Sequence, residues 1–296
     1  GVKRRWTLMA PAICGVSGSQ INLLLDTVIA SFLPTGSVSW LYYSDRLSEL
    51  PLGVFGVALG TVIMPSLSRQ HAKASADTFG LTLNWAVRMV LLVSLPATLA
   101  LVILAKPILI TLFYDGVQIQ ARDVEMSSLS LIAYALGLSA FMLIKVLAPG
   151  YFARQDMRTP VKIGVIAMVA NMVMNLIFVL LLHHYWQAGH MGLALATSLS
   201  AFINAYLLFS GLRKSKVFRS TSGWLVFAGQ SLLANLAMVA VLAGLLFYWD
   251  GWFNWSTLER IGRLAVVCVA GLSAYLLVLA GLGIRFRHLR YGPTFR

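Results

Sequence analysis

Apolar residues run along this chain in eight long blocks, near 7–33, 38–66, 79–105, 126–152, 160–182, 190–212, 223–249 and 261–283, with polar and charged residues gathered between them. A hydrocarbon core about 30 Å thick takes about 20 apolar residues per helix. The pattern therefore predicts an all-α fold, a polytopic transmembrane helix bundle with about eight spans. Short turns such as Pro34-Thr35-Gly36-Ser37 join some spans, whereas two longer external segments, 106–125 and 250–260, mix charge with aromatic residues. Residues 106–114 (KPILITLFY) are apolar but too short to span. They suit a re-entrant or interfacial piece, or packing between span ends. Prolines at 11, 51, 65 and 96 each remove a backbone hydrogen bond that neighbours must replace, so kinked helices are expected. Around Pro51, the glycines Gly53, Gly56 and Gly60 admit close helix approach, Gly56 and Gly60 forming a small-xxx-small face; a hinge is the alternative.

Composition agrees: 59% of residues are hydrophobic and 11% charged, too little polar surface for a soluble globule of this size. The net charge of +13 would in a soluble protein point to nucleic acid, but its placement excludes that partner. Lys3, Arg4 and Arg5 precede the first span; Arg69 and Lys73 follow the second; Arg154, Arg158 and Lys162 the fourth; Arg213, Lys214, Lys216 and Arg219 the sixth; Arg285, Arg287, Arg290 and Arg296 end the chain. These are 16 of the 23 Lys and Arg, all in alternate loops, so the positive-inside rule puts both termini in the cytoplasm. Anionic inner-leaflet lipid is the expected partner of the basic loops. The first block superficially resembles a signal peptide, yet it continues for a full span and carries Gln20, Asn22 and Asp26, as a mature helix would. Without an initiating Met, the chain reads as a piece of a longer protein. Cys14 and Cys268 lie within apolar spans, where they pack rather than oxidise.

An ionisable residue inside hydrocarbon costs several kcal/mol on insertion scales and so marks function by default. Asp26, Asp45, Arg46, Glu49, Arg88 and Lys145 meet that description. Arg46 lies about 13 Å inside the second span at 1.5 Å per residue. Two readings follow: a local pair with Asp45 or Glu49, or a water-filled cavity in which Arg46, Asp45 and Glu49 meet an anionic substrate, the guanidinium fork matching phosphate oxygens. Arg88 enters from the cytoplasmic end of the third span as a cavity wall, hence a substrate-binding candidate, or as an interfacial anchor. Asp26, Asn175 and Thr197 share a depth of about 10–12 Å from the external boundary, and Asn171 lies one turn below Asn175. One carboxylate with amide and hydroxyl oxygens is a candidate hard-cation site; interhelical hydrogen bonding is the alternative. His183, His184 and His190 are read as residues of a short external loop without an acidic partner, and a metal there is not expected.

Two stretches, WLYYSDRLSELPLGVFGVALGTVIMPSLS (Trp40 to Ser68) and KVLAPGYFARQDMRTPVKI (Lys145 to Ile163), closely resemble the MurJ (MviN) lipid II flippases of the MOP transporter superfamily. The likeness runs from about Trp6 onward and covers the second half of that architecture. It implies a 14-helix protein with two six-helix lobes around a central cavity, then two helices forming a groove for a lipid tail. On that map, residues 1–212 are the second lobe, 213–222 a basic cytoplasmic linker, and 223–296 the last two helices and basic tail. Arg46 falls on the family's cavity arginine of that lobe. Asp26, Asn171, Asn175 and Thr197 match positions that resemble its sodium site, making Na+ a coupling-ion expectation; no other cofactor is implied. The implied substrate is lipid II, an undecaprenyl-diphosphate-linked disaccharide pentapeptide, moved across a bacterial inner membrane by alternating access. The first lobe, absent here, is then a partner of this one. Competing readings are an exporter of another polyprenyl-linked saccharide or of drugs, a scaffold for cell-wall enzymes, and an intramembrane transferase, for which Asp115 and Asp123 are the nearest carboxylate pair.

Overall fold

The computed structural model describes residue 20 and residues 22–72, 76–218 and 223–283. Lys3, Arg4, Arg5, Pro11, Cys14, most of the first block, Lys73, Arg219, Arg285, Arg287, Arg290 and Arg296 lie outside the described residues. Every regular element among the described residues is helical: α1 (Asn22–Ser31), α2 (Ser37–Pro51), a π-helical turn (Leu52–Gly56), α3 (Val57–Ala72), α4 (Ala76–Phe113), α5 (Ala121–Phe152), α6 (Arg158–Trp186), α7 (Gly189–Lys214), α8 (Trp224–Tyr248), a 3-10 turn (Trp252–Asn254) and α9 (Thr257–Gly281). Six of these helices, α4 to α9, are each long and apolar enough to cross a membrane, and α2 with α3 makes a seventh if that bent pair is one span.

Local chemistry sets the boundaries. Gly36 opens α2 at φ 103°, where a side chain would strike the Trp40 ring. Gln120 and Asp123 close a capping box at the start of α5, and Ser256 with Glu259 does the same for α9. Gln187, at φ 54°, ends α6.

The helix α5 is the axis of the bundle: its most apolar stretch is 61% enclosed, against 22–44% for the other spans. Its sequence explains this, since Ser127, Ser130, Ala133, Gly137 and Ala140 are small and all buried, letting α4 and α7 press against it. At Gly137 an added Cβ would sit 2.5–2.8 Å from Ser198 of α7, whose hydroxyl donates to the Ala133 carbonyl at 2.6 Å. The helix α6 lies on α7, α2 and α3 lie on α5, and α8 and α9 form a hairpin against α4.

Two expectations are corrected and one is met. Residues 106–114 are no re-entrant piece: α4 continues through Pro107 to Phe113, with Leu109 and Ile110 buried among Leu47, Val124 and Trp252. The second block bends by 42° after the π-helical turn that follows Pro51, the kink expected at its proline. The histidines are not loop residues: His183 and His184 end α6, and His190 stands fully buried in the first turn of α7.

Candidate functional site

The depth-matched polar residues meet where α1, α6 and α7 converge. Gly192 makes this possible, because a Cβ there would lie 2.8–2.9 Å from backbone atoms of Phe178 and Val179, so α7 rides directly on α6. The Asn175 amide donates to Asp26 Oδ1 at 2.6 Å and to Asn171 Oδ1 at 3.1 Å. Asn171 donates to Thr197 Oγ1 at 3.3 Å, and Thr197 donates to the Leu193 carbonyl at 3.0 Å. The Thr197 hydroxyl also lies near the Asp26 carboxyl, so the four side chains gather into a compact polar ring. Asn171 and Asn175 are fully buried, while Asp26 and Thr197 are half-buried. Asn175 Oδ1 is buried and accepts no hydrogen bond from the described residues. An orphaned amide oxygen beside a carboxylate and a hydroxyl is a hard-cation donor set, and these residues fit Na+. The lone pairs that Asp26, Asn171, Asn175 and Thr197 can offer a cation are all on oxygen.

A second face is built on α2. Arg46 donates to Glu49 Oε2 at 2.9 Å and lies 5.3 Å over the Tyr42 ring. The i to i+3 spacing delivers that pair. Arg46 and Glu49 keep 60% and 51% of their side-chain surface exposed, so the pair engages one arm of the fork and leaves the guanidinium accessible. Asp45 is half-buried beside them. Below lies the π-helical turn, where a Cβ added at Gly56 would come within 3.8 Å of the stem of Lys145 on α5, while Gly53 faces open space.

Arg88 takes a different place. Its guanidinium stacks on Trp224 at 4.9 Å and Phe227 at 5.5 Å, both of α8, rather than on the α2 face.

Several residues with defined work carried no warning in the sequence. Trp40 donates from its indole to Asp123 at 2.9 Å and packs on His190 at 4.9 Å, tying α2, α5 and α7 at one end. Asp123 also caps Gln120 N at 2.9 Å. Asp115 accepts from the amides of Ile119, Val117 and Gln118, each at 2.9 Å, and these bonds hold its carboxyl below the ordinary range. Both carboxylates are thereby committed to structure. The capping pattern Gln120–Asp123 was the one readable signal among these.

Long apolar helices with an exposed guanidinium on one face and a buried polar ring on another define an all-α bundle of the membrane-protein class. In fold alone, the chain is similar to an outward-facing multidrug-resistance MATE transporter of the MOP superfamily (TM-score 0.59, 16% identity, 96% of this chain and 65% of that one). The likeness is stronger to the structure of a lipid II flippase MurJ in an inward closed conformation (TM-score 0.74, 27% identity, 98% of this chain and 56% of that one). The family model described as lipid II flippase MurJ matches residues 1–262. A probable lipid II flippase MurJ of Vibrio cholerae is 48% identical over 98% of this chain and 54% of its own length. The chain belongs to the MurJ family. It spans about half the length of the curated relatives it matches.

Proposed function

We propose that this chain is the second lobe and last two helices of a lipid II flippase, a transporter and not an enzyme, residing in a bacterial inner membrane with both termini of this chain in the cytoplasm. Residues 1–212 form the lobe, 213–222 the basic linker, and 223–296 the tail-binding pair and basic end. The observation that carries this reading is family membership across nearly the whole chain.

The geometry fits the task. The hydrophilic head of lipid II must pass a layer in which each desolvated charge is expensive, while its tail stays in lipid. Arg46, accessible on α2 and already pointing one arm at Glu49, supplies fork donors for the diphosphate. Asp45 and Glu49 hold the local charge balance, and Arg88 sits at the α4–α8 seam, beside the helices assigned to the tail. The bend after Pro51 gives the cavity wall a deformable point, as rocking of two lobes requires. The missing first lobe closes the other side. Asp26, Asn171, Asn175 and Thr197 would hold Na+, whose binding supplies a bias between the two access states. Anionic lipid meets the basic loops.

The test uses the full-length parent in liposomes with headgroup-labelled lipid II. Time-dependent exposure of label to an outside quencher, absent from empty liposomes, supports the reading. Exposure at the empty-liposome rate, by protein shown to be folded, overturns it.

A further inference from the structure

Pro96 sits inside α4, and a proline has no N–H to give the carbonyl four residues earlier, that of Leu92. In hydrocarbon such a carbonyl must find another donor. It finds one on α9: the Tyr275 hydroxyl donates to the Leu92 carbonyl at 2.7 Å, and Tyr275 is itself buried. The same helix pair meets again at the C-terminal end of α4. The final carbonyls of a helix have no partner within it and carry the negative end of its dipole. Arg260 of α9, only 7% exposed, donates to the carbonyls of Tyr114 at 3.2 Å and Ile110 at 3.5 Å, and its guanidinium lies 5.1 Å over the Tyr114 ring. A third bond, to the Phe253 carbonyl at 2.9 Å, draws in the α8–α9 connection. Between these levels runs an apolar seam in which Leu92 and Leu104 of α4 pack with Met238 and Leu242 of α8 and Val267 of α9. Gly271 admits Leu242 so closely that a Cβ would meet it at 2.6 Å, which joins α8 to α9.

We propose that α8 and α9 travel with α4 as one rigid unit through the transport cycle, with Tyr275 and Arg260 as the positioning residues that bind them. Tyr275 serves the carbonyl that Pro96 leaves without its helical donor, and Arg260 serves the Tyr114 carbonyl just past the end of α4 while sharing that of Ile110, which also accepts from Tyr114 N–H, so sliding or hinging α9 away from α4 costs the Leu92 and Tyr114 carbonyls these donors. The α2–α3 pair is built in the opposite sense, with a π-helical turn and a 42° bend. In the cycle, the tail-binding pair therefore follows α4, while α2 deforms.

The proposal rests on the transport reading, and one experiment separates the two. Spin labels replace Leu112 of α4 and Leu258 of α9, both exposed, in the full-length parent in liposomes whose lipid II export is followed at the same time. During export the distance distribution is expected to remain the single one of the resting protein. Export accompanied by a second distance overturns the rigid unit. If nothing is exported, the transport reading fails on its own, and the unit is judged on the resting protein. There Tyr275→Phe and Arg260→Gln are each expected to broaden or split the distribution, and an unchanged distribution in both variants overturns the assignment.

Discussion

The Asp26–Asn175 contact makes a quantitative prediction. Asn175→Ala removes two donated hydrogen bonds, one of 2.6 Å to a carboxylate and one of 3.1 Å to Asn171, from a side chain with no exposed surface. A bond to a charged group contributes about 1.5–3 kcal/mol and a neutral one about 1 kcal/mol. Within membranes, measured interhelical bonds fall lower, averaging about 0.6 and reaching about 1.7 kcal/mol, because the unfolded chain also finds partners. The single variant is therefore expected to lose about 2–3 kcal/mol. A double-mutant cycle with Asp26→Ala isolates the shorter bond, with an expected coupling of about 1.5 kcal/mol. The assay is reversible unfolding of the full-length parent in mixed micelles, and Tyr275→Phe on the distant α9 serves as the control partner for Asp26→Ala. Additivity of the Asp26 and Asn175 variants within about 0.3–0.5 kcal/mol, the range of independent sites, would refute the contact and with it the ring.

If that ring binds Na+, replacing choline chloride by sodium chloride at equal ionic strength raises the unfolding midpoint of the parent and leaves Asp26→Ala unmoved; equal response of both to sodium rejects the site. Saturation at about one hundred times the dissociation constant corresponds to about 2.7 kcal/mol. Gly192→Ala puts a Cβ against the Phe178–Val179 backbone and is expected to cost about 1–3 kcal/mol in the same unfolding assay, whereas Gly164→Ala, with open space around it, is near neutral or stabilising. Equal stabilities for these two variants would contradict the close α6–α7 approach.

Much of this molecule was legible because a helix advances by a fixed rise. Counting residues from the external boundary put Asp26, Asn175 and Thr197 at one depth, and a four-residue step put Asn171 beneath Asn175; the structure brings all four together. The i to i+3 spacing of Arg46 and Glu49 was readable for the same reason, although it gave no choice between a local pair and a substrate group. Pro96 announced an orphaned carbonyl, but not that its donor would be Tyr275, a partner 183 residues away. Nothing in hydropathy separates an apolar segment that ends a long helix from one that folds back, so 106–114 was ambiguous until Leu109 and Ile110 were seen to pack against Trp252. His190 looked like a loop residue because its polarity masks a stacking and packing role beside Trp40. Arg88 was placed by depth alone, and depth says nothing about direction around a helix; its neighbours proved to be aromatic residues of α8.

The most direct test of the account follows outer-leaflet lipid II in bacteria depleted of their own flippase, comparing the full-length parent with its Arg46→Ala form at matched membrane abundance. Export by the parent and its loss in the variant is the predicted result, since Arg46 presents the accessible guanidinium on the α2 face. Equal export by both would contradict the role of Arg46, and export by neither would contradict the transport of lipid II itself.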